Sequence, residues 1–110
     1  MDDRQLLELA ARAAGFVSIR PSTFDPNIYI ATEHDGDSNP WNPHTENSDA
    51  LSLAIKLRMR LQIDDYGAAA RIGDNGRWHG CEAHLHGGIE SATRRAITSC
   101  AAASIGEQMP

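Results

Sequence analysis

With 110 residues and a hydrophobic fraction of 41%, the chain is long enough for one globular core, too short for two, and too apolar to be disordered. Its formal charge is -5 and Lys56 is the single lysine among ten basic side chains, a balance that excludes general affinity for duplex phosphates, which needs clustered cations. Aromatic residues make up only 5%, so the core must be built from Leu, Ile and Ala, whose small contacts predict modest stability unless the chain self-associates.

Residues 3–14 carry Leu6, Leu7, Leu9, Ala10, Ala13 and Ala14 at helical spacing, with Asp2 and Asp3 at the favourable end of the dipole and Gly15 as the stop. Phe16 to Arg20 and Asn27 to Thr32 read as two strands of an antiparallel hairpin joined through Pro21-Ser22-Thr23 and Asp25-Pro26. From Glu33 to Ser48 periodicity is lost, and Pro40, Pro43 and many turn formers mark a long acidic loop of the kind that is usually functional or mobile.

Ser48 or Asn47 is the expected cap of a central helix, with Asp49 in its first turn. Ala50, Leu51, Leu53, Ala54, Ile55, Leu57, Met59 and Leu61 form an apolar face too wide for one contact, so this helix is expected to touch both a sheet and a neighbouring helix. Gln62 onward begins a third strand. Asp74-Asn75-Gly76-Arg77 signals a tight hairpin turn, and Arg77 to Ala83 returns as the fourth strand. Gly87-Gly88 breaks the chain before a last helix over residues 89–105, with Arg94 and Arg95 expected towards solvent. The order is α-β-β-α-β-β-α, and the expected fold is one α+β domain over residues 1–110: a mainly antiparallel four-stranded sheet layered with three helices.

Catalytic signatures are weak. His79-x-Cys81-x-x-His84-x-His86 has the composition of a zinc ligand set, but strand parity puts His79 and Cys81 on one face and His84 and His86 on the other. Asp35, Asp37, Asn39, Trp41 and Glu46 match the spacing of a calcium loop, yet Pro40 stands where glycine is required and no helix precedes. Serine nucleophile turns and phosphate-binding glycine loops are absent. Cys81 and Cys100 are expected to be reduced thiols in a cytoplasmic protein, since the start has no secretory pattern and no run is long enough to span a membrane. No catalytic residue, metal or cofactor is therefore assigned. Trp41 is expected to plug the core beneath the loop, leaving His34, Asp35, Asp37 and His44 as the partner-binding candidates.

Three blocks bear on origin: Leu6-Leu7-Glu8-Leu9-Ala10-Ala11-Arg12-Ala13-Ala14-Gly15; Trp41-Asn42-Pro43 with Asp49-Ala50-Leu51-x-Leu53-Ala54; and Ala92-Thr93-Arg94-Arg95-Ala96-Ile97 running to Ile105-Gly106. With these the chain resembles small phage and prophage proteins that carry the phage α-β-α sandwich domain. It departs from them where His84-Leu85-His86-Gly87-Gly88 replaces an Asp-Pro turn into the last helix. The resemblance implies a helix-layered sheet and brings no catalytic residues. The leading expectation is a non-enzymatic accessory protein that binds a host protein, such as an inhibitor of a CRISPR–Cas defence system. It would contact no nucleic acid or membrane directly. The alternatives are a self-associating structural component, dimerised through Ala-rich helix faces, and a small metal-dependent enzyme.

Overall fold

The first helix, α1 (Asp3–Ala14), is closed at both ends by local chemistry. The Asp2 carboxylate accepts from the Gln5 N–H at 2.8 Å while the Gln5 side chain accepts from the Asp2 N–H at 3.1 Å, a reciprocal capping box. Gly15 ends the helix at φ 93°, where its N–H reaches the carbonyls of Ala11 and Arg12. The computed structural model describes residues 2–73 and 76–108.

Among the described residues six strands follow, not four. β1 (Ser18–Pro21), β2 (Tyr29–Thr32) and β3 (Ser38–Pro40) form one antiparallel sheet in that order, with Ile19 opposite Ala31 and Ala31 opposite Asn39. After α2 (Asn47–Lys56) come β4 (Met59–Ile63), β5 (Gly67–Ile72) and β6 (His79–Glu82), a second antiparallel sheet with Leu61 opposite Ala70 and Ala68 opposite Cys81. One 3₁₀ turn (Ala83–Leu85) leads to α3 (Ile89–Gln108). The α+β class and the three helices agree with the sequence reading. The single four-stranded sheet and the α-β-β-α-β-β-α order do not, because each expected hairpin is a three-stranded meander. The expected Asp74-Asn75 turn lies outside the described residues.

Two strands were concealed for different reasons. β3 lies inside the stretch read as loop and contains Pro40, which a strand tolerates only at an edge, and β3 is an edge. β4 coincides with the expected end of the central helix because Met59 and Leu61 continue its apolar spacing. The helix stops at Lys56, and Arg58 takes the left-handed conformation at φ 54°, reversing the chain with no glycine to announce it. The expected caps differ as well. Glu46 occupies the cap position of α2 without a side-chain bond, and Asp49 instead accepts from the Asn42 N–H at 2.9 Å.

The hydrophobic interior has two lobes either side of α3. Leu7, Ala10, Ala11 and Ala14 of α1 meet Ala31, Trp41, Ala50, Leu53, Ala54, Ile97 and Ala101 in the larger lobe. Ala68 and Ala70 of β5 meet Ala96 and Cys100 in the smaller, and half-buried Met59 packs against both. Trp41 is buried as expected, its ring edge-on to Phe16 with centroids 5.3 Å apart. Gly67 is required by close approach: a Cβ there would collide with the Cys81 carbonyl oxygen across the β5–β6 pair.

Two substitutions test this description. Trp41→Ala removes the largest side chain of the main lobe and is expected to lower unfolding stability by about 3–5 kcal/mol, read from the shift in urea midpoint. Arg58→Gly relieves the left-handed strain and is expected to raise stability by about 0.5–1 kcal/mol, seen as a higher thermal midpoint.

Candidate functional site

Of the four sequence-derived contact residues, the fold assembles three and separates the fourth. His34, Asp35 and Asp37 lie in the turn between β2 and β3, and all are exposed. The turn is braced from within. The Glu33 N–H donates to the Asp37 carbonyl at 2.8 Å, the Gly36 N–H to the Glu33 carbonyl at 3.0 Å, and the Asp37 N–H to the Asp35 carboxylate at 3.0 Å. Thr32 and Ser38 join their hydroxyls at 2.9 Å across its base.

This bracing gathers charge. Carboxylate oxygens of Glu33, Asp35 and Asp37 lie within 4.8 Å of one another. Like charges at that separation repel, so the turn gains from any cation brought to it, whether a basic side chain or a divalent ion. It borders a shallow depression with Ala14, Gly15, Phe16 and Lys56. Sequence reasoning chose Asp35 and Asp37 but missed Glu33, which only the hairpin geometry brings alongside.

His44 belongs elsewhere. It sits in the segment from Trp41 to Glu46, which Asn42 organises: the Asn42 side chain accepts from the His44 N–H at 2.9 Å, and its carbonyl accepts from Glu46 at 2.9 Å. From α3, the Arg94 Nε donates to the His44 carbonyl at 2.9 Å and the Arg94 terminal nitrogen to Asn47 at 2.7 Å. Arg95 donates to Asp3 at 2.7 Å, tying α3 to the start of α1. Both arginines were expected in solvent; instead they fasten the loop and the first helix to the last. His44 is half-buried, and its Nε2 is enclosed without a hydrogen-bond partner. Its imidazole lies among the charges of Asp3, Arg94 and Arg95.

Burial, reinforced by the Arg95 and Arg94 charges, lowers the His44 pKa, while Asp3 opposes the shift. The hydrogen bond from Arg95 holds the Asp3 carboxyl below its usual range.

The zinc-like set does not converge. Among the described residues, the only group of three or more His, Cys, Asp or Glu ligand atoms close enough for one ion is Glu33, Asp35 and Asp37. His79 and Cys81 are half-buried on β6, whereas the chain leaves the strand at Glu82, so the strand parity assumed for His84 and His86 does not apply. His84 is exposed and lies 3.4 Å from Glu82. Burial raises the Cys81 pKa, which keeps it a thiol and a poor nucleophile. The calcium-loop spacing is broken by β3, which takes Asn39 into a strand.

One surface was missed altogether. Leu51 and Ile55 on the outer side of α2, with Leu61 and Ile63 on β4, are 39–67% exposed, although the helix was expected to bury both flanks. Leu51, Leu61, Ile63, Ile89, Thr93 and Ile97 line an apolar groove of about 370 Å³ between α2, β4 and α3. The signal available in the sequence was the excess width of the α2 apolar face. Among the described residues no helix is long and apolar enough to cross a membrane. Comparison with family models, curated proteins and solved structures finds no match.

His44 provides a test of the internal network. Above its ordinary pKa of 6.5 it is neutral in both states. As the pH falls through that value the unfolded chain takes up the proton first, so folding stability declines towards the lowered native pKa. His44→Gln is expected to flatten the stability profile as the pH falls below about 6.5, measured by urea unfolding at a series of pH values.

Proposed function

We propose that the protein is a non-enzymatic binding protein that engages a basic surface of another protein through the acidic β2–β3 turn. The observation that carries this reading is the convergence of Glu33, Asp35 and Asp37 within 4.8 Å on an exposed turn, braced by the backbone bonds from Glu33 and Gly36. Such a site is preorganised: the repulsion among the carboxylates is sustained by the folded hairpin, and a cationic partner relieves it on binding. His34, between two of these acids, adds a hydrogen-bonding ring to the same face.

The biological setting proposed is the phage or prophage accessory role suggested by the sequence resemblance, with a host protein as target. A nucleic-acid-binding protein is the favoured class, because its basic channel is the surface a cluster of carboxylates occupies most effectively. Inhibition of a defence system such as CRISPR–Cas is one outcome of that occupancy.

The test is recovery from bacterial host lysate with wild-type protein and with a Glu33→Lys, Asp35→Lys, Asp37→Lys triple variant. The residues are exposed, so the fold is expected to survive by circular dichroism. The reading requires a specific partner held by the wild type, lost at least tenfold in the variant, and weakened by added salt. Equal recovery by both proteins places the contact elsewhere, and recovery of no partner removes the proposal.

A further inference from the structure

Two three-stranded sheets expose four edges, and they are not alike. β1 ends in Pro21, β3 is three residues long and ends in Pro40, and β6 is four residues long with Gly80 and Glu82. Proline, short length and charge are the usual ways of keeping an edge from pairing with another chain. β4 has five residues, Met-Arg-Leu-Gln-Ile, with neither proline nor glycine, and among the described residues it has one neighbouring strand, β5. Its apolar residues Leu61 and Ile63 are 39% and 52% exposed.

The hydrogen-bond phase of that edge follows from the hairpin. The Asp64 N–H donates to the Gly67 carbonyl at 3.0 Å, in register with Leu61 opposite Ala70 and Gln62 opposite Ala69. Antiparallel ladders alternate, so Gln62 and Arg60 exchange bonds with β5, while Met59, Leu61 and Ile63 aim their N–H and C=O groups at the open edge.

We propose that this edge pairs with a second copy of the chain, β4 against β4, about a two-fold axis at Leu61. That register makes hydrogen-bonded pairs of Leu61 with Leu61 and of Met59 with Ile63, all from the outward-pointing set. On the helix-covered face it lays Met59, Leu61 and Ile63 against their own kind. On the opposite face Arg60 meets Gln62 of the second copy, so no like charges stand opposite one another. The strand is therefore self-complementary in backbone phase and apolar pattern, with no like charges opposed, which is what an isologous interface demands. A different chain would owe this strand no such symmetry. The Ala-rich helix faces expected from sequence to form a dimer are occupied inside each copy instead.

Sedimentation equilibrium on the full chain should give twice the monomer mass, with Leu61 and Ile63 amides exchanging more slowly as concentration rises. Gln62 is exposed, so its variants keep the fold while reading the register. Gln62→Glu, opposite Arg60, should tighten the dimer about threefold to tenfold, and Gln62→Arg should loosen it by a similar factor. Leu61→Lys should give monomer with an unchanged circular dichroism spectrum. A strict monomer to about millimolar concentration overturns the proposal. So does a dimer indifferent to all three variants, or edge protection that appears only on adding an unrelated extended apolar peptide. None of these readouts depends on the acidic turn, so failure of either proposal leaves the other standing.

Discussion

The fold depends on one helix being narrow enough to be approached from several sides. Ala92, Ala96, Ile97, Thr98, Cys100, Ala101 and Ala102 of α3 are each at most 3% exposed, and α3 contacts α1, α2 and the second sheet. A helix enclosed in this way cannot be amphipathic in the usual sense. Its Ile97 and Ala101 serve the larger lobe, its Ala96 and Cys100 the smaller. The buried Thr98 hydroxyl donates to the Arg94 carbonyl at 2.9 Å, so it enters the interior without an unmet donor. Replacing any of these alanines with a larger residue would push apart the elements packed against α3.

The polar ties around α3 complete that constraint. Packing of small side chains is weakly directional, so the angle at which α1 and the loop meet α3 needs another determinant. Arg95 with Asp3 supplies it at one point, and Arg94 with the His44 carbonyl and Asn47 at another. The Asn42–Asp49 bond then fixes the loop to the first turn of α2. The residues from Trp41 to Ala54 and from Ala92 to Ile97 are thus largely those that orient one element on another.

How much of this the sequence exposes follows from the signals each element emits. The first helix is legible because capping residues, periodicity and Gly15 all agree. The β1–β2 hairpin is legible from its β-branched and aromatic residues. β4 is not, since Met59 and Leu61 satisfy a helical spacing as well as an alternating one, and the residue that breaks the helix is an arginine. β5, rich in Ala68, Ala69 and Ala70, has little strand propensity of its own and forms because α3 covers one side of it. At the site, the acidic turn was visible as a run of carboxylates, but the isolation of His44 was not. Local sequence places His44 a few residues from that run, and only the long-range contacts with Arg94, 50 positions away in the chain, take it inside.

The same small core explains where the larger apolar side chains went. Alanine-lined elements sit close together and take in only some of the branched side chains that α2 and β4 carry. Leu53 and Ala54 enter the interior, whereas Leu51 and Ile55, on the adjoining strip of the same helix, stay outside. On β4, Leu61 and Ile63 share the inner face with Met59, but α3 lies over β5 and β6 and reaches the first strand only in part. An apolar groove at this corner is the geometric remainder of packing a narrow helix on a three-stranded sheet. It stands apart from the acidic turn at the β2–β3 tip. A chain with few aromatic residues can thus be economical inside and still carry two chemically distinct surfaces, one acidic and one apolar.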